Sequence, residues 1–191
     1  ERLAKIITVV GSYSIKKKPD SFQALIEAII YQQLNGNAAK TICKRFYAYY
    51  GNVTPTPEQI ISTSDIELRS RVGLSRMKSI YLKELATNIV ERKLNLVELP
   101  LMKDEEIISQ LIRVKGIGRW TAEMFLIFHL GREDVLPVTD LGLRNAIKRT
   151  YMLEKLPIPS EMVRIAAPWR PYRSVATWYL WKSLYNFNAI G

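Results

Sequence analysis

Residues Val114-Lys-Gly-Ile-Gly-Arg-Trp-Thr-Ala122 are followed by an aspartate at position 140, 22 residues after Gly118, in Pro137-Val-Thr-Asp-Leu141. Gly116 and Gly118 flank one apolar residue between two helical patterns. That spacing makes a tight helix-hairpin-helix, a shape that presses backbone N–H groups onto a phosphate. Asp140 opens a further helical pattern, where an ionised carboxylate can stabilise positive charge on a reacting group. A phosphate clamp followed by a lone carboxylate points to a chain that grips DNA and does chemistry beside it. Each half also has a plainer reading. Gly-Ile-Gly can close an ordinary αα-hairpin, and an Asp at a helix N-terminus commonly acts as a cap.

The totals agree with a polyanionic partner. The chain has 191 residues, with 28 basic against 18 acidic side chains and a net charge of +10. A solvated basic surface would give the same balance. Apolar residues make up 48%, enough for a core in one domain spanning residues 1–191. Cys43 is the only cysteine and His129 the only histidine. An intrachain disulfide, a four-cysteine iron–sulfur cluster, a Cys/His zinc site and a His-based triad are therefore excluded. Lone Cys43 fits a reducing compartment, cytoplasm with nucleoid or nucleus. His129, inside the apolar run Phe125–Leu130, reads as a satisfied near-core residue. No apolar run approaches the roughly 18 residues of a membrane span. The start, Glu1 to Ile7, does not resemble a signal peptide. Residue 1 is not Met and is not taken as the native start.

The elements that must position these residues are helical. Apolar periodicity predicts helices over 20–34, with Phe22, Leu25, Ile26, Ile29 and Ile30 inward, and over 37–50. Short turns follow at 57–63 and 64–71, opened by Pro57 and Ser64. A longer helix is predicted over 75–93, with Met77, Ile80, Leu82, Leu85, Ile89 and Val90 as its apolar residues. Segments 103–113 and 119–130 flank the hairpin. Segments 140–150, 159–167 and 171–187 complete the chain. No strand alternation, repeat or linker stands out, so the fold class is all-α with about ten helices.

Within the hairpin, both glycines allow positive φ and close backbone approach. Helix 103–113, opened by Asp104, Glu105 and Glu106, would bury Ile107, Ile108, Leu111 and Ile112. Ile117 would plug between the two helices. Lys115 and Arg119 would add charge to a sequence-independent clamp.

The full string carries more than the glycines alone. Gly116-Ile-Gly-Arg-Trp-Thr-Ala122, Gln32-Gln-Leu34, Pro137-Val-Thr-Asp140 and Trp169-Arg-Pro-Tyr-Arg-Ser174 occur in the order found in the helix-hairpin-helix (HhH-GPD) DNA glycosylase superfamily. The chain resembles its 3-methyladenine DNA glycosylase II (AlkA-like) group over roughly residues 20–187. The resemblance implies two lobes with an active-site cleft between them, a monomer, and duplex DNA containing damaged bases as partner. It makes Asp140 catalytic, stabilising the oxocarbenium character that builds on the sugar as the N-glycosidic bond breaks. At about 4 Å and an effective dielectric of about 20 that attraction is of order 4 kcal/mol, or about 10³ in rate. The residue can also orient water. Such an effect suits alkylated purines, whose positive charge already makes them good leaving groups.

Trp120 stands where bifunctional relatives carry a Schiff-base lysine, so the resemblance implies a monofunctional enzyme without lyase chemistry. It places Trp120 and Trp181 in the pocket for the flipped base. Met124 falls where some relatives have a pocket tyrosine. Most of the C-terminal aromatics Trp169, Tyr172, Trp178, Tyr179 and Tyr185 are expected in the core. Gln33 is the expected duplex plug, with Leu34 as second choice and Asn35 reading the minor groove. Arg173 and Ser174 would hold a phosphate or support Asp140. Lys115, Gly116, Ile117, Gly118 and Arg119 form the DNA-binding hairpin, whose backbone carbonyls would hold a monovalent cation. No cofactor is expected. The resemblance leaves 3-methyladenine, 7-methylguanine, hypoxanthine and 1-methyladenine as substrates. A non-catalytic DNA-binding module and a glycosylase/lyase for oxidised bases are the rival readings.

Overall fold

The computed structural model describes residues 2–15, 20–34 and 36–184. Asn35 and Tyr185 lie outside the described residues. Among those described, the fold is all-helical: eleven α-helices with short π- and 3-10-helical turns. One helix, α1 (Arg2–Val10), adds to those expected. The chain divides into two compact units, Lys18–Phe125 and a second made of Glu1–Lys17 with Leu126–Gly191. No helix of the described residues is long and apolar enough to cross a membrane.

The first unit begins with α2 (Ser21–Tyr31). Asp20 caps it, accepting the amides of Phe22 and Gln23. The expected apolar repeat is its inner face: Leu25, Ile26, Ile29 and Ile30 are fully buried. Next come α3 (Gly36–Tyr49), α4 (Pro57–Ser62) and α5 (Asp65–Glu67). Thr56 with Gln59 and Ser64 with Glu67 form reciprocal capping boxes that start α4 and α5. A π-turn, Leu68–Val72, ends at Gly73.

Helix α6 (Arg76–Val90) departs from the expected apolar face. Leu82, Leu85 and Ala86 are buried, but Met77 and Val90 are exposed, and the inner face begins with Lys78 and Ser79. Residues 78, 79, 82, 85 and 86 share one helical face, which Met77 misses by its angle around the axis, whereas Val90 is the last residue of the helix. Helix α7 (Asp104–Leu111) buries Ile107, Ile108 and Leu111, whereas Ile112, just past its end, is exposed. Helix α8 (Arg119–Phe125) follows the hairpin.

The segment expected as one helix to residue 130 changes character at Leu126. A π-turn, Leu126–Leu130, begins the second unit's main stretch, burying His129 and leaving Phe128 exposed. Helices α9 (Leu141–Tyr151), α10 (Pro159–Ala166) and α11 (Arg173–Ser183) complete it. Helix α1 packs on α11, and Ile6, Leu143, Ile147, Met162, Trp178 and Leu180 share one core. Trp178 and Tyr179 are core residues, as most of the C-terminal aromatics were expected to be, whereas Tyr172 is exposed.

Candidate active site

The hairpin closes through short backbone bonds. Val114 N–H donates to Leu111 O, Ile117 N–H to Val114 O, and Ala122 N–H to Gly118 O, all within 3.1 Å. Gly116 has φ +95°, and a Cβ there would stand 2.1 Å from Cγ of Tyr81. Two separate constraints therefore require glycine at 116. Gly118 differs from expectation. It does not adopt positive φ, and a Cβ on it would meet nothing within 4 Å. Ile117 is 3% exposed and is the inward plug. Its N–H donates to Val114 O within the turn.

Lys115 is exposed on the turn. Arg119, expected to add charge to the clamp, is already paired. Its guanidinium takes both Glu105 carboxylate oxygens, at 2.5 and 3.1 Å, and its Nε donates to Glu123 at 3.1 Å. The hydrogen bonds from Arg119 hold the Glu105 carboxyl below its usual range against the opposing effect of burial. Arg119 thus ties α7 to α8, and the two carboxylates offset its charge.

The expected plug segment adjoins the hairpin in the same unit. Gln32 donates through Nε2 to Gly116 O at 2.8 Å and Thr121 Oγ1 at 3.1 Å. Gln33 is exposed with φ +54°, an uncommon conformation for a non-glycine residue. Leu34 is exposed beside it. Gln32, Gln33, Lys78, Tyr81, Lys115 and Trp120 all line one open cavity of about 800 Å³. Met124 is half-buried farther along α8.

Asp140 belongs to the other unit, with Trp181. It caps α9, its Oδ1 accepting the Leu143 amide at 2.5 Å and Trp181 Nε1–H at 2.8 Å. A Cβ at Gly142 would lie 3.1 Å from Asp140 Oδ1 and 3.5 Å from the indole, so glycine leaves room for this arrangement. The Trp181 ring stacks on Phe128, with centroids 5.7 Å apart and planes 18° apart. The capping reading of Asp140 is thus what the structure displays.

Arg173 and Ser174 brace the chain leading to Asp140. Arg173 donates to Asp134 Oδ1 at 2.6 Å, Oδ2 at 3.0 Å and the main-chain oxygen at 2.7 Å. Burial pushes the Asp134 carboxyl up, but the hydrogen bonds and charge of Arg173, with Arg170, hold it below its usual value. Ser174 is completely buried and accepts the Val135 amide at 2.9 Å. It was expected as a DNA contact or as support for Asp140. The structure places its hydroxyl fully buried against Val135.

The structure thus brings Gln33, Leu34, Lys115 and Trp120 together in one unit and Asp140, Trp181, Arg173 and Ser174 in the other. Phe128, stacked on Trp181, and Tyr81 and Lys78, which line the cavity with Gln33 and Lys115, were not singled out from sequence. A tyrosine or lysine one turn into a helix has no local signature of the glycine or carbonyl it will meet. Among the described residues no group of His, Cys, Asp or Glu could hold a metal. The turn carbonyls of Val114 and Gly116 each accept one N–H, from Ile117 and Gln32. Each carbonyl keeps a second acceptor lone pair.

An all-helical chain with this glycine turn and a helix-capping aspartate beyond it is a helix-hairpin-helix protein. The chain belongs to the HhH-GPD superfamily of base excision DNA repair proteins, whose pattern matches residues 26–171. It is 36% identical over 189 residues to DNA-3-methyladenine glycosylase 1 of Schizosaccharomyces pombe, covering 96% of this chain and 82% of the relative. A putative DNA-3-methyladenine glycosylase of Bacillus subtilis is 38% identical over 169 residues, 85% of this chain, which spans 58% of that relative's length. The solved Schizosaccharomyces pombe 3-methyladenine DNA glycosylase in complex with abasic DNA superimposes with a TM-score of 0.88 at 34% identity. That match covers 96% of this chain and 91% of the solved one.

Proposed function

We propose that the chain is a monofunctional glycosylase that flips alkylated purines of the 3-methyladenine or 7-methylguanine type out of duplex DNA and hydrolyses their N-glycosidic bond. The product is a free base and an abasic site. The observation that carries this reading is the Asp140 carboxylate, oriented at Oδ1 by the Leu143 amide and the Trp181 indole. Such a carboxylate stabilises developing sugar cation without moving at the moment of reaction. The relatives' names, and the abasic DNA bound in one solved relative, supply the substrate class.

In this reading Trp120 and Met124 meet the flipped base, and Gln33 with Leu34 fills the gap left in the stack. The Lys115–Gly118 turn holds the phosphate backbone. Trp120 at the place of a catalytic lysine leaves hydrolysis as the route.

The test is base release from a panel of duplexes containing 3-methyladenine, 7-methylguanine, 1-methyladenine or hypoxanthine, with wild type and Asp140→Asn. Release by wild type, lost in the variant with DNA binding retained, is the expected result. Binding without release from any of these lesions would favour a non-catalytic module. Strand nicking without heat or base, trapped by borohydride, would favour a lyase.

A further inference from the structure

Helix α6 turns a lysine inward at its first turn. Lys78 follows the Ser75 cap, whose hydroxyl accepts the Lys78 amide at 3.3 Å. The positive end of the α6 dipole therefore faces its ammonium. The residue is only 9% exposed. Both features disfavour a cation, and burial pulls the Lys78 pKa down against an opposing effect of Cys43. What offsets them is specific: Nζ donates to Ile30 O at 2.6 Å. Ile30 lies in the last turn of α2, where carbonyls lack intrahelical partners and carry the negative end of that helix dipole.

The chain leaves α2 two residues later. There Gln32 makes a second tie, to Gly116 O and Thr121 Oγ1 of the hairpin. Gln33 comes directly after, exposed, at φ +54°. A non-glycine residue in that region costs about 1 kcal/mol and persists only where its surroundings hold it.

We infer that Lys78 is a positioning residue for base extrusion: with Gln32 it braces the Gln32–Leu34 turn from two sides, so that the duplex plug is rigid before DNA arrives. This rests on the glycosylase reading above. A plug that must displace a stacked base works best when its own ordering entropy has already been lost on folding. The brace matters most where the base must be pulled out of a pair, and least where the lesion is unpaired.

The experiment is single-turnover base release by wild type, Lys78→Met and Lys78→Arg from one alkylated purine, placed opposite thymine or opposite an abasic analogue. Lys78→Met should lose about tenfold on the paired lesion and less than about threefold on the unpaired one, with Lys78→Arg recovering most of the loss. Equal loss on both substrates, as a merely structural role would give, or no loss on the paired lesion overturns the inference. A 2-aminopurine beside the lesion reports unstacking without base release. A fluorescence rise with wild type that is lost in Lys78→Met supports the brace; no rise, or an equal rise in both, overturns it. Wild type that releases no base from either substrate counts against the glycosylase reading, while the fluorescence still decides the brace. Should circular dichroism show Lys78→Met unfolded, Gln32→Met removes the other arm and carries the same test.

Discussion

The glycine hairpin and the Asp140 loop reach rigidity by different routes. In the hairpin the ties from Ile117 to Val114 and from Ala122 to Gly118 span three or four residues, and Gly116 supplies the backbone conformation. Around Asp140 the decisive ties are distant. Trp181 reaches across 41 residues, and Arg173 and Ser174 reach back 39 residues to Asp134 and Val135. A clamp for a uniform phosphate backbone needs only presented amides and charge. A carboxylate that must meet a developing cation needs a fixed direction, and groups from other elements set it. Substitutions on α11 should therefore reach catalysis without touching Asp140, while substitutions at the turn should reach folding and DNA affinity.

The largest separation should come from Asp140→Asn, which is expected to lower base release about 10³-fold with DNA binding unchanged by electrophoretic mobility shift. Weakened binding of the same size would collapse the contrast between clamp and carboxylate. On the hairpin side, Gly116→Ala should cost about 3 kcal/mol, from positive φ and the overlap with Tyr81. Urea unfolding measures it, and a cost below about 1 kcal/mol would remove the steric requirement.

Trp181→Phe keeps an aromatic ring and deletes the donor to Asp140 Oδ1. Base release should fall about tenfold, the worth of one hydrogen bond to a charged group. Unchanged release would show that the Leu143 amide alone orients the carboxylate.

Asp134→Asn probes the brace through pH. Because the folded Asp134 pKa is depressed, its contribution to stability is present above the unfolded value of about 3.9 and is lost as pH falls through the folded value. The variant should be less stable at pH 7 by about 1 kcal/mol after solvent screening. That gap should close in acid; a gap constant to pH 3 would mean that packing, and not the Arg173 pair, holds the loop.

The smallest effect belongs to Lys115→Ala, which should weaken binding to all sequences and reduce the salt slope by up to about 0.9. Arg119→Ala offers the sharper contrast. Since Glu105 and Glu123 offset its charge, its loss should change stability more than salt slope, and the reverse would restore it to the clamp.

Helix existence was legible from apolar spacing along most of the chain, because burial of one face demands a repeat that any helix shows. The α2 face is an example: every predicted inward residue is buried. Helix α1 was missed because nine residues at a chain start offer little periodicity, and its partner α11 lies far away in sequence. Lys78 was invisible for a related reason: a lysine in an apolar register looks like an exposed break until Ile30 O is brought to it.

What the sequence determined by itself was the glycine turn, the helix cap at Asp140 and the basic charge. Each depends on backbone conformation or totals that neighbouring residues settle. Only the tertiary structure decided that Arg119 is paired, that Ser174 is buried, and that Trp181 with Phe128 behind it orients Asp140. Those assignments depend on which distant donor reaches which acceptor once cores have formed, and a hydrogen bond that spans some forty residues leaves no periodic trace in the chain that makes it.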